Sequence, residues 1–195
     1  MGAAARNRRS RAHANDEGVP HAMEERAIMI VLRLVHILAG LFWVGGMVTL
    51  TAFLVPAVRA SGPAAGKVMI ELMLKRKLRV WLTSAMGLTI LSGILMMWRL
   101  DVVTHHAWIR TASGKTLMFG ALAALIAGIA GGAVAGPANQ RLATIGASVG
   151  AGGGAATAEQ QAEMARLQKR AGVGMRLTVI FVLVAAGAMA VARYV

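Results

Sequence analysis

The sequence predicts an all-α polytopic membrane protein, a bundle of four transmembrane helices. Three observations predict it. The chain is 57% hydrophobic and 15% charged, where a soluble domain is nearer half apolar and about a quarter charged. Its apolar residues fall into four blocks, at about 28–55, 80–98, 115–135 and 177–195. Its charges, mostly Lys and Arg, gather between those blocks. A bilayer needs roughly 20 consecutive apolar residues, and each block is about that long or longer.

The elements follow in order. Residues 1–26 mix Arg6, Arg8, Arg9 and Arg11 with Asn15, Asp16, Gly18 and Pro20. This composition predicts a disordered polar tail. The apolar run after it exceeds the roughly 7–15 residues of a signal-peptide core, so a cleaved leader is not expected. The first block starts at Ile28 and ends at Val55, before Pro56. It is long enough to require tilt. The second runs from Val80 to Trp98. The third runs from Lys115 and is expected to stop at Gly136-Pro137. The fourth runs from Leu177 to Val195. Residues 27–195 therefore form one four-helix domain.

The connections differ. Residues 59–79 contain the basic run KRKLR, and residues 99–114 hold Asp101, His105, His106 and Trp108. Residues 137–176 begin with the tract GASVGAGGGAATA and continue as TAEQQAEMARLQKRAG. There Thr157 and Gln160 have capping-box spacing and Gly172 suits a helix stop. A flexible linker and then a surface helix are predicted.

The net charge is +13, which in a membrane protein reads as topology and anionic-lipid contact. No folded basic domain lies outside the apolar blocks, so no nucleic-acid partner is expected. Arg59, Lys67, Lys75, Arg76, Lys77 and Arg79 lie in one loop. Arg141, Arg166, Lys169, Arg170 and Arg176 lie in another. Loops 59–79 and 137–176 are therefore predicted to be cytoplasmic and both termini outside. Gly120, Ala124, Gly128, Gly132 and Gly136 recur every four residues. Such a stripe lets helices approach closely, within the chain or in a homo-oligomer or membrane complex. Helix two has a shorter stripe, Ala85, Thr89 and Gly93, and helix four offers Ala186 and Ala190.

There is no cysteine, which excludes disulfides, thiolate metal sites and iron–sulfur clusters. The informative stretch is LRLVHILAGLFWVGGM. Arginine at the centre of a membrane helix costs about 2.5–3.5 kcal/mol on insertion scales. Arg33 lies roughly 8 Å into the block and can snorkel, whereas His36 lies roughly 12 Å in. Arg33, His36, Gly40, Trp43 and Met47 share one helix face. Gly40 is expected to leave space beside the imidazole for a flat ligand such as a porphyrin, with Arg33 available to a propionate. The plainer alternative is a hydrogen bond from His36 to a neighbouring helix across a small-residue contact.

Lys115 opens helix three in the same leaflet as His36, where it meets a carboxylate, a substrate or headgroups. ASGKT is not a phosphate loop, because Ile109 stands where that loop needs its first glycine. His105 and His106, with Met96 and Met97 nearby, are reasonable copper ligands, although adjacent His side chains diverge. Trp81, Trp98 and Trp108 suit an aromatic belt. No Ser–His–Asp set or intramembrane carboxylate pair is present.

The run LVHILAGLFWVGGMVTLTAFLVPAVR resembles the first helix of CopD-type (copper resistance protein D) membrane proteins and of HemJ-type protoporphyrinogen oxidases. KRKLRVWLTSAMGLTILSG resembles their second helix, WIRTASGKTLMFGALAAL the start of the HemJ third helix, and AAGAMAVARYV the last helix of small CopD-like proteins. This resemblance implies haem b held by His36 and a functional lysine at Lys115, hence a haem-dependent membrane oxidoreductase if the chain is an enzyme. It also implies, alternatively, a copper transport or tolerance role, for which His36, His105, His106 and Met97 are the candidate ligands. A ligand-free assembly subunit is the third expectation. The expected location is the inner membrane of a prokaryotic cell.

Overall fold

The computed structural model describes residues 2–61, 68, 69, 71–153 and 155–195, with side chains from residue 23 onward except that of residue 74. Its architecture is the all-α four-helix bundle that the apolar blocks require. Four helices are long and apolar enough to cross a membrane: Met23–Ala60, Leu78–Val103, Ala112–Ala151 and Ala158–Tyr194. They are helices one to four below. The chain is a multi-pass membrane protein in contact with lipid.

The helices pair as two hairpins, one with two and three with four, and the hairpins close through contacts of one with four and two with three. Trp43 reaches the centre and is 3% exposed. It packs with Ala85, Ala127 and Val182, one residue from each other helix. Leu34, Leu38 and Leu41 of helix one are exposed to the surroundings, as lipid-facing residues should be.

Three helix ends differ from expectation. Helix one is continuous from Gly2 to Val48, so the backbone of the expected tail belongs to it. Its Ala, Arg and Glu residues favour helix. Nor do the prolines stop helices one and three. Each is preceded by a six-residue π segment, Thr49–Leu54 before Pro56 and Ala130–Ala135 before Pro137. Each then sits in the first turn of a renewed α-helix, Val55–Ala60 or Gly136–Ala151. A wider turn accommodates the missing N–H and the ring's clash with the preceding turn.

The expected linker is therefore mostly helical. Its apolar residues Ala138, Leu142, Ile145 and Val149 lie on one face and pack against Met164, Leu167 and Ala171. Arg141 Nε adds an ion pair to Glu163 at 3.1 Å. The capping box forms as expected: Thr157 Oγ1 accepts from Gln160 N at 3.2 Å, and Gln160 Oε1 accepts from Thr157 N at 3.0 Å. Gly172 does not end the helix, which runs on from Ala158 to Val191. The surface helix and helix four are one rod.

The small-residue stripe of helix three is divided among neighbours. A Cβ on Gly120 would meet Ala188 Cβ of helix four at 3.2 Å, whereas one on Gly128 would meet Ile90 Cδ1 of helix two at 3.2 Å. Gly132 has open space around it. Four residues overshoot a full helical turn by about 40°, so a four-residue stripe drifts across successive neighbours. Gly120 and Gly128 therefore serve contacts within the chain.

Candidate functional site

The site is built where helix one crosses helix two. His36 Nδ1 lies 2.8 Å from the Thr89 carbonyl oxygen and 3.3 Å from Ser92 Oγ. The Ser92 hydroxyl has its own acceptors, Leu88 O at 2.5 Å and Thr89 O at 3.1 Å. Its single hydrogen is thus directed to the helix backbone, and its lone pairs face the ring. Nδ1 meets only acceptors, so it carries a proton and donates. In the neutral imidazole this leaves Nε2 unprotonated, with a lone pair available to a ligand.

Gly93 makes room for the ring. A Cβ there would fall 2.9 Å from His36 Cε1 and 3.2 Å from Nδ1. Ala85 and Thr89, the rest of that stripe, are buried, and Thr89 Oγ1 donates to Ala85 O at 2.7 Å. The space expected beside Gly40 is taken by Thr89: a Cβ on Gly40 would lie 3.4 Å from Thr89 Cγ2. Gly40 is thus in contact with helix two. The shared face read from spacing holds for His36, Gly40, Trp43 and Met47, which all turn toward the bundle. Arg33 is exposed.

Replacing Gly93 with alanine is expected to cost about 1–3 kcal/mol, the range for overpacking. In a His36→Ala background the cost should vanish, since alanine is otherwise the better helix former. A double-mutant cycle on thermal unfolding in detergent measures this, and additive effects would refute the seating of His36 on Gly93.

The other candidates lie elsewhere. Lys115 is exposed in the first turn of helix three, which packs chiefly on helices two and four. It is not joined to His36 by any hydrogen bond or ion pair among the described residues. Gly114 beside it is a cap residue: its N–H donates to Thr111 Oγ1 at 3.0 Å, and a Cβ would strike the Trp108 carbonyl. His106 Nδ1 pairs with Asp101 Oδ2 at 2.7 Å. His105 and His106 both have left-handed φ, 50° and 64°, and close the turn after helix two. Met97 is half-buried on helix two. Among the described residues, no three His, Cys, Asp or Glu side chains cluster at metal-binding distance. Trp81 and Trp98 are exposed as belt residues, while Trp108 is buried, because the short turn Trp108–Arg110 tucks it against helices two and three.

Sequence reasoning missed Thr89 and Ser92 as partners of His36, and the ion pair of Arg99 with Glu25 that ties the start of helix one to the end of helix two. The signal for the first was the Ala85, Thr89, Gly93 stripe. No family model, curated protein or solved structure matches the chain.

Proposed function

We propose that this chain is a membrane redox or electron-transfer protein that holds haem b through Nε2 of His36. One observation carries the reading: Nδ1 of His36 donates to the Thr89 carbonyl at 2.8 Å. Metal-bound histidines characteristically donate their other ring nitrogen to such an acceptor, which fixes the ring and raises its basicity. Bound haem would supply one-electron chemistry. The chain supplies the ligand and its tautomer. Arg33, about one turn from His36 and exposed, suits a propionate. The likeness of the first and third helices to HemJ-type proteins supports the same reading. If the chain is an enzyme, exposed Lys115 is the group that would meet its substrate. Loops 59–79 and 137–176 would face the cytoplasm of a prokaryotic cell, with both termini outside.

The test is the absorbance spectrum of protein purified from haem-supplied cells. A Soret band is expected in the wild type and not in His36→Ala of equal helicity. A wild type without the band refutes the reading. The contact of His36 with Gly93 favours one second reading, a ligand-free assembly subunit in which His36 only locks two helices. His36→Ala would then lower stability and leave a featureless spectrum unchanged. A copper role at His106 would have a like contact, Nδ1 held by Asp101 Oδ2 at 2.7 Å, but no three His, Cys, Asp or Glu side chains cluster there among the described residues.

A further inference from the structure

A second feature lies toward the other end of helix one, away from His36. Helix one and the turn Glu71–Lys75 enclose an apolar groove of about 390 Å³, lined by Leu41, Phe42, Leu50, Leu54, Leu72 and Leu78. Thr49 is its one polar side chain. Two adjacent glycines in its wall do different jobs. A Cβ on Gly46 would fall 2.5 Å from Leu82 Cδ2, so Gly46 keeps helices one and two in contact. A Cβ on Gly45 would meet nothing within 4 Å. The absence of a side chain at Gly45 leaves the groove open and serves no packing contact.

The mouth of the groove is basic. Between Glu71 and Arg79, one acid faces four bases. Lys75 and Arg76 both lean on Glu71, at 2.9 and 3.8 Å. Arg79 donates from Nη1 to the Gln140 amide oxygen at 3.0 Å. Lys77 is exposed, has no ion-pair partner among the described residues, and directly precedes Leu78 of the groove wall. It also sits at the N-terminus of helix two, where the helix dipole adds positive potential.

An apolar slot on a membrane-spanning helix accepts an acyl chain, and a basic lip accepts a phosphate. We propose that the groove is a binding site for an anionic phospholipid, with an acyl chain over Gly45 and the phosphate against Lys77. The site is independent of His36 and stands whether or not haem binds there.

The test uses the full chain, delipidated in detergent and titrated with phosphatidylglycerol or phosphatidylcholine, with bound lipid counted by native mass spectrometry. One phosphatidylglycerol should be retained per chain, and phosphatidylcholine should bind roughly fivefold more weakly for one basic contact. Gly45→Leu should abolish the adduct. Gly187→Leu, on helix four and equally free of neighbours, should leave it unchanged. Lys77→Gln, which leaves packing untouched, should reduce phosphatidylglycerol to the phosphatidylcholine level. Equal retention of both lipids by the wild type would overturn the proposal. So would equal phosphatidylglycerol retention by Gly45→Leu and Gly187→Leu, or a Lys77→Gln protein that still prefers phosphatidylglycerol.

Discussion

Trp43→Ala is expected to lower stability by about 3 kcal/mol, the lower end of the range for removing a buried Trp. The reason for the lower end is the solvent. In a bilayer the separated helices face lipid, so little hydrophobic transfer energy is lost. What is lost is packing, and here the loss is concentrated. Trp43 is 3% exposed and touches Ala85, Ala127 and Val182, small or branched residues that cannot extend to fill its place. Helix one also has the smallest buried share of the four spans, and Trp43 is the largest side chain it buries. Reversible unfolding in detergent or bicelles would measure the difference. A loss below about 0.5 kcal/mol would show that the bundle closes without Trp43.

The spans could be read because hydropathy over about 20 residues is a local property. Where the spans end could not, because Pro56 and Pro137 are accommodated by π segments. Their stability depends on what packs beside them, such as Gly174 against Ala130 and Ala135. The hairpin beyond helix three was hidden for a related reason. Its face of Ala138, Leu142, Ile145 and Val149 is weakly apolar in a Gly/Ala-rich tract and gains meaning only opposite Leu167 and Ala171.

For the site, His36 was legible because an imidazole inside an apolar helix is costly and asks for an explanation. Its partners were not. Thr89 is 53 residues away in sequence, and the rotation of helix two that brings its carbonyl to Nδ1 is set by packing. Gly40 shows the danger of the opposite inference. Spacing correctly placed it beside His36, yet its space belongs to Thr89. A glycine next to a candidate ligand makes a pocket only if no neighbouring helix has already filled it.

Gly174→Leu is expected to cost at least about 3 kcal/mol, at or beyond the upper end of ordinary overpacking. A Cβ at Gly174 would fall 2.9 Å from Ala130 O, 2.9 Å from Ala135 N and 3.0 Å from Ala135 Cβ. The first two are backbone atoms of the π segment, so no rotamer change relieves the clash and the helices must separate. Separation also breaks the contact one turn on. Thr178, 1% exposed, has its Oγ1 2.9 Å from Gly174 O and 3.2 Å from Ala127 O. Thr178→Val alone should cost only about 0.6 kcal/mol, a typical value for a hydrogen bond between membrane helices. The two variants thus separate close backbone approach from hydrogen bonding as the source of cohesion. Gly174→Leu should also splay the hairpin beyond it and raise the rate at which that hairpin is cut in limited proteolysis. His36, seated on helix two at the other hairpin, should keep its contacts with Thr89 and Gly93 as long as the bundle persists. A Gly174→Leu protein as stable and as protease-resistant as the wild type would show that helices three and four are held together elsewhere.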